Sequence, residues 1–331
     1  MIEVSSQVLK NEFRISYEDV TTEGKRLSAV SDMSTGQTVA AAPELGDLFP
    51  PAKKRSAVWG FCVRHPTIVI GGGLLVLMLL IAIFAPYLGT VDPTALAPAK
   101  RTREPSAIYW FGTDMLGRDI YSRVLYGTRV SLVVGFSVAF LASVIGLALG
   151  LVAGFLRWAD GFIMRIMDGL MSIPPILLAI ALMALTRGSV GNVITAITIA
   201  EVPRVSRLVR GVVLSLREQP YIDGAVAAGT RVPMIILKHI LPNTLAPLSV
   251  QATYICASAM ITEAILSFLG VGTPPIIPSW GNIMAEGRAL WQVKFYIVLF
   301  PAIFLSLTVL AINLLGDGLR DALDPRMAKK I

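Results

Sequence analysis

The chain has 331 residues, 54% of them hydrophobic and 15% charged, with a mean hydropathy of +0.68. A soluble domain is about 45–50% apolar and about 25% charged, so this composition excludes a water-soluble enzyme of this length, and disorder of the chain as a whole. The net charge of +7 comes from 29 Lys+Arg against 22 Asp+Glu. In so apolar a chain, basic residues mark cytoplasmic loops and anionic lipid surfaces, and no nucleic-acid partner is predicted. Cys62 and Cys256 belong to no CxxC pair, and His65 and His239 stand far apart, so neither a disulfide framework nor a metal cluster is read.

Residues 1–57 are polar and end in Pro50-Pro51-Ala52-Lys53-Lys54-Arg55. They predict a flexible cytoplasmic tail with a basic membrane-proximal anchor, and no cleaved signal peptide opens the chain. Residues 58–331 predict a six-span helical domain, because a bilayer crossing takes about 20 apolar residues. The first span is read at 66–88, followed by a polar stretch from Asp92 to Arg129. The second span is read at 130–156, then a short loop with Arg157, Asp160, Arg165 and Asp168. The third, 169–186, contains Pro174-Pro175, a pair that should kink or break it. The fourth, 190–210, runs past Glu201. The fifth, 244–269, holds one acid, Glu263, and the sixth, 295–315, is uncharged. Basic residues are weighted so that both termini fall in the cytoplasm, although the first outer loop is itself basic.

Between the fourth and fifth spans lies Tyr221-Ile222-Asp223-Gly224-Ala225-Val226-Ala227-Ala228-Gly229, and further on His239-Ile240-Leu241-Pro242-Asn243. The alanines allow close helix approach. Gly229 can take a positive φ and end a short helix, and Pro233 suits the first turn of the next. The segment reads as a helix–turn–helix on the cytoplasmic face, either an inert surface helix or a shape that seats in a groove of a soluble partner.

This segment resembles the EAA loop of ABC importer permeases: Glu-Ala-Ala, three residues, Gly, nine residues, Ile, one residue, Leu-Pro. Asp223, Gly224 and Ala225 stand for Glu-Ala-Ala, Gly229 falls at the glycine, His239 replaces the isoleucine, and Leu241-Pro242 are in register. Gly224 in place of Ala weakens the helix by about 0.8–1 kcal/mol. Phe111-Gly112-Thr113-Asp114 with Gly117-Arg118-Asp119, Ser172-Ile173-Pro174, the run Glu263 to Gly270, Pro278-Ser279-Trp280-Gly281, Leu315 to Asp321 and Asp324-Pro325-Arg326 are similar to the dipeptide/oligopeptide/nickel branch, second permease type. The likeness covers about residues 59–327.

The resemblance implies an all-α permease of six transmembrane helices with a cytoplasmic coupling helix, multi-pass in the bacterial plasma (inner) membrane. It implies one half of a translocation path for short peptides, or for nickel or another small solute. The partners it implies are a second homologous permease, two cytoplasmic ATPases and an extracytoplasmic solute-binding protein. ATP and Mg are then expected on the ATPases, with no cofactor, metal or catalytic residue on this chain. In agreement, the sequence contains no G-x-x-x-x-G-K-[ST] loop. Outside that family, a proton-coupled carrier or a channel would fit the composition.

Other residues are candidates on their own account. Glu263 is an ionisable group in an apolar run, read either as a path acid or as a structural acid paired with an outer arginine. Asp114/Arg118 and Asp119/Arg123 stand at i,i+4 in acid-first order, which suggests a solvated outer helix or a surface that docks the binding protein. Arg204, Arg207 and Arg210 recur every third residue, as in a voltage sensor or as a row snorkelling to lipid phosphate. Trp280, Trp291 and Tyr296 read as interfacial aromatics.

Overall fold

A computed structural model describes residues 62–63 and 65–323; the tail expected over 1–57 and the Asp324-Pro325-Arg326 motif lie outside them. The described residues are helical with no strand, apart from one isolated bridge between Thr113 and Asp119. Helix α1, Pro66–Phe84, is apolar throughout, starts on a proline and ends in a 3-10 turn, Ala85–Tyr87. Irregular chain from Leu88 to Asp119 leads into α2, Ile120–Phe155, which is 36 residues or about 54 Å long. Helices α3, Arg157–Met171, and α4, Pro175–Ala184, follow, then α5, Val190–Arg217, and α6, Pro220–Ala227. A continuous helix α7 spans Val232–Phe268, with a π-helical turn at Ile236–Ile240. The last two are α8, Trp280–Gly287, and α9, Tyr296–Leu323.

Four of these helices, α1, α2, α7 and α9, are long and apolar enough to cross a bilayer, and α3 with α4 makes a fifth if the bent pair is one span. The expected six spans are therefore approximate, and several boundaries need correction, among them the start of the fifth span at Val232 rather than 244 and the ends of the fourth at Arg217 and the sixth at Leu323. The second helix begins at Ile120, ten residues before the expected 130, because Asp119 caps it: its carboxylate accepts from Ser122 N (2.8 Å) and Oγ (2.5 Å). The expected loop carrying Arg157 to Asp168 is helix α3. The third span is not a single rod, since α3 and α4 meet at 87° across Ser172-Ile173-Pro174, where proline removes the N–H that would continue the helix.

The fourth span is long enough, at 28 residues, but carries Glu201, Arg204, Arg207 and Arg210. Each arginine in this row has a carboxylate partner. Arg204 pairs with Glu201 (2.9 Å), Arg207 with Asp168 (2.6 Å) and Arg210 with Asp160 (2.5 Å). The row therefore does not stand free as in a voltage sensor; two of its members fasten α5 to α3.

The most extensive contact is α2 against α5, which run parallel. Gly146, Gly150 and Gly154 lie on Val205, Val209 and Val213 in the same order. A Cβ added at Gly150 would stand 2.6 Å from Val209 Cβ and 2.8 Å from the Ser206 carbonyl oxygen, so the two backbones are as close as they can be. Lipid tails remove the hydrophobic drive for helix association, and small residues at four-residue spacing replace it with close packing. Arg129 binds α1 to α2 at the other end, its guanidinium reaching the Ala82 and Ile83 carbonyl oxygens that α1 leaves open at its C-terminus. Substituting Gly150→Leu should destabilise the purified subunit by about 1–3 kcal/mol or abolish its accumulation. Thermal unfolding in detergent measures this, with Gly161→Leu, whose Cβ meets nothing within 4 Å, as the neutral comparison.

Candidate functional site

Two clusters lie at opposite ends of α2. At its C-terminal end, α6 and the start of α7 form the helix–turn–helix expected at 221–241. Helix α6 ends in a Schellman turn: Gly229 takes φ +76°, its N–H donates to Val226 O (2.9 Å), and Thr230 N–H donates to Ala225 O (3.1 Å). The unit is anchored by Ile222, Ile235 and Ile240, all buried, with Ala225 half-buried. Tyr221, Val226, Val232, Met234 and Leu237 are exposed, which is more apolar surface than a helix pair this size leaves in water without a partner. Asp223 and Gly224 are exposed in α6; His239, half-buried in the π-turn, has its ring 6.3 Å from that of Tyr221. Leu241 is half-buried, and Pro242, exposed, occupies the first turn after the π-turn. Beside the unit, a cleft of about 360 Å³ is lined by Phe155, Arg157, Arg217, Ile222, Asp223 and Val226.

At the other end, Asp114, Arg118 and Arg123 come together, but not as a solvated helix. All three are buried, and Asp114 sits in the irregular chain before α2. Its Oδ2 accepts from Arg118 Nε (2.7 Å) and Arg123 Nη1 (2.5 Å). A fourth residue, Glu286 of α8, completes the network: it takes Arg118 Nη2, and Arg123 at 2.5 and 3.2 Å. The expected Asp119–Arg123 pair does not form, because Asp119 is spent on the cap of α2. Glu286 lies 163 residues from Arg123, so no local spacing announced it. The same lobe buries Trp280, whose indole N–H donates to Val124 O (3.1 Å), and Tyr296, whose hydroxyl donates to Arg103 O (2.9 Å). Phe111 stacks on Phe300 at 4.0 Å. Of the three aromatics expected at the interface, only Trp291 is exposed. Nearby, the Lys294 ammonium beside Glu104 holds that carboxyl below its usual range.

Glu263 is 1% exposed and pairs with no arginine among the described residues. Its Oε1 instead accepts from Ser267 Oγ (2.8 Å) and Thr273 Oγ1 (3.4 Å). The expected ion pair is thus replaced by hydroxyls of the same helix and the loop after it. Asn282 in turn holds that loop, its Nδ2 within 3.2 Å of the Thr273, Pro274 and Ile277 carbonyl oxygens.

This architecture defines a polytopic helical membrane subunit with a short helix pair, partly exposed, at one end. Residues 142–329 match the family model described as binding-protein-dependent transport system inner membrane component, and residues 53–105 match that of the N-terminal TM domain of oligopeptide transport permease C. A probable peptide ABC transporter permease protein of Sinorhizobium fredii is 52% identical over 81% of this chain and 91% of its own length. A dipeptide transport system permease protein of Alkalihalophilus pseudofirmus is 46% identical over 80% of this chain and 87% of its own. A glutathione transport system permease protein of Pectobacterium atrosepticum is 42% identical over 81% and 90%. The chain belongs to the family of binding-protein-dependent transport system inner membrane components, the permease subunits of ABC importers. It is a multi-pass inner-membrane transport component rather than an enzyme, and membership implies a second permease and ATPase subunits beside it. A chain of the MetNI methionine ABC transporter in an inward-facing conformation shares the fold, with TM-score 0.50 and 21% identity over 61% of this chain and 96% of that one.

The buried network predicts a stability order. Asp114→Asn removes the carboxylate shared by two buried guanidinium groups and should cost about 3–5 kcal/mol, whereas Asp119→Ala loses a cap and should cost about 0.5–2 kcal/mol. Denaturant unfolding of the purified complex in detergent checks the order; equal losses would contradict it.

Proposed function

We propose that the chain forms half of an import path for short peptides and is driven through residues 221–241, which seat in a groove of a partner ATPase. One observation carries the reading: an exposed apolar face of Tyr221, Val226, Val232, Met234 and Leu237 on a short helix pair anchored by buried isoleucines. The Schellman turn at Gly229 fixes the angle between the two helices, so a push on α6 is delivered to α7 as rigid-body motion. Asp223, Gly224, Ala225, Gly229, His239, Leu241 and Pro242 form this coupling unit. ATP and Mg act on two ATPase subunits in the cytoplasm. The peptide class is supported by the names of relatives at 42–52% identity, which carry peptide, dipeptide or glutathione.

The end of the bundle holding α6 faces the cytoplasm, with both termini, as the distribution of basic residues favours. The opposite lobe then meets an extracytoplasmic solute-binding protein. Asp114, Arg118 and Arg123 act there from within, holding the lobe's shape, while exposed Ile108, Trp110, Met115 and Leu116 provide contact surface. Residues 1–57 are a separate cytoplasmic segment preceding the permease domain, 58–331.

At Gly229 a Cβ would meet nothing within 4 Å, so a substitution acts through φ alone. A β-branched residue resists the left-handed region by roughly 1–2 kcal/mol. Gly229→Val should leave the complex assembled in the membrane and lower ATP-driven uptake of labelled trialanine at least tenfold in proteoliposomes. Uptake at the parent rate by an assembled Gly229→Val complex would refute the coupling role.

A further inference from the structure

A cavity of about 290 Å³ opens between α4, α5 and α7, lined by Pro175, Glu201, Arg204, Tyr254, Ser258 and Thr262 among others. Its depth is set by the helices that build it. Glu201 lies eleven residues into the 28-residue α5, and Tyr254 falls midway along Leu241–Phe268. The Arg204 side chain is 37% exposed, whereas that of its partner Glu201 is buried.

Ionisable groups within a membrane bundle face its interior or a water-filled cavity. Two other cavities of the bundle are mostly apolar. One is lined by Leu79, Ile83, Val133 and Phe136 with Arg129 and Ser137, another by Leu75, Phe140, Ala252 and Cys256 with Ser143 and Thr253. Only the α4–α5–α7 cavity, of these three, combines an acid, a base and hydroxyls. Glu201 Oε2 accepts from Arg204 Nη1 (2.9 Å), Oε1 lies 3.4 Å from Ser258 Oγ, and the Arg204 guanidinium lies 5.4 Å from the centre of the Tyr254 ring.

We propose that this cavity faces water, lines the translocation path and is the subsite that receives the charged ends of a zwitterionic solute in passage. A solute carboxylate is met by Arg204 and an ammonium by Glu201 with the Tyr254 ring, each replacing part of the resting Glu201–Arg204 pair. The pair keeps both charges neutralised while the path is empty. It also fits a carrier that handles peptides of different sequence, since the two ends of a peptide are common to all of them. This inference rests on the reading of the chain as a peptide importer permease.

The test uses the complete transporter with Cys62 and Cys256 replaced by serine, so that single cysteines report. Ser258→Cys should react with a cationic, membrane-impermeant methanethiosulfonate at least tenfold faster than Phe136→Cys on the apolar face. Equal rates would overturn the aqueous assignment. Arg204→Met should lower ATP-driven uptake of labelled trialanine at least tenfold in a complex that assembles normally, and Arg204→Lys, which keeps the charge, should recover at least threefold of that loss. Parent-level uptake by Arg204→Met would overturn the subsite. If the parent complex itself accumulates no trialanine with ATP, the peptide reading fails, and the labelling rates alone judge the cavity.

Discussion

The approach of α2 to α5 is the constraint on which the rest of the structure depends. Three glycines one turn apart bring the α5 backbone against α2, and three valines fill the space their missing side chains leave. A helix with an acid and three arginines along one side has little reason to stay in a bilayer. It stays because its other side is held by close packing, and because the charges are met by Glu201 of α5 itself and by Asp160 and Asp168 of α3. Helix α3 therefore has to cross near α5, and the right-angle break before α4 follows from the prolines that end it there.

The two ends of the bundle are built on different physics. Around Asp114 the interactions are buried, charged and bidentate, and they tie chain from before α2 to α8, far apart in sequence. Breaking one partner there leaves an uncompensated ion, which makes the lobe stiff. Around Gly229 the interactions are local and backbone-based, and large apolar side chains remain uncovered. One end is suited to keeping a shape, the other to being completed by another chain. In the proposed transport cycle these are the end that meets a binding protein and the end that receives the mechanical input.

Much of this was legible in the residues themselves, and the failures share a cause. The apolar runs at 66–88 and 295–315 became helices α1 and α9, and the turn at Gly229 was readable because a Schellman motif closes within six residues. What escaped were features whose partners are remote. Arg123 suggested a pair with Asp119, and Arg129 looked like the end of a polar stretch, since Glu286 and the α1 carbonyl oxygens that receive them are not neighbours in sequence. Glu263 suggested an ion pair because hydroxyls around a buried carboxyl leave little trace in a sequence. Gly146, Gly150 and Gly154 did carry a signal, the four-residue spacing of small residues, but it is easily lost inside a long apolar run.

The pairing along α5 has an electrical consequence. Arg204, Arg207 and Arg210 together with Glu201, Asp168 and Asp160 carry no net charge when the acids are ionised. An elementary charge displaced through 100 mV is worth about 2.3 kcal/mol, so three unmatched arginines would give a membrane potential roughly 7 kcal/mol of leverage on this helix. Matched one to one, and moving with their partners on α3 and α5, they give it almost none. A resting bacterium and an energised one would then present this part of the bundle with the same conformational landscape, leaving its opening and closing to chemical work done elsewhere in the complex.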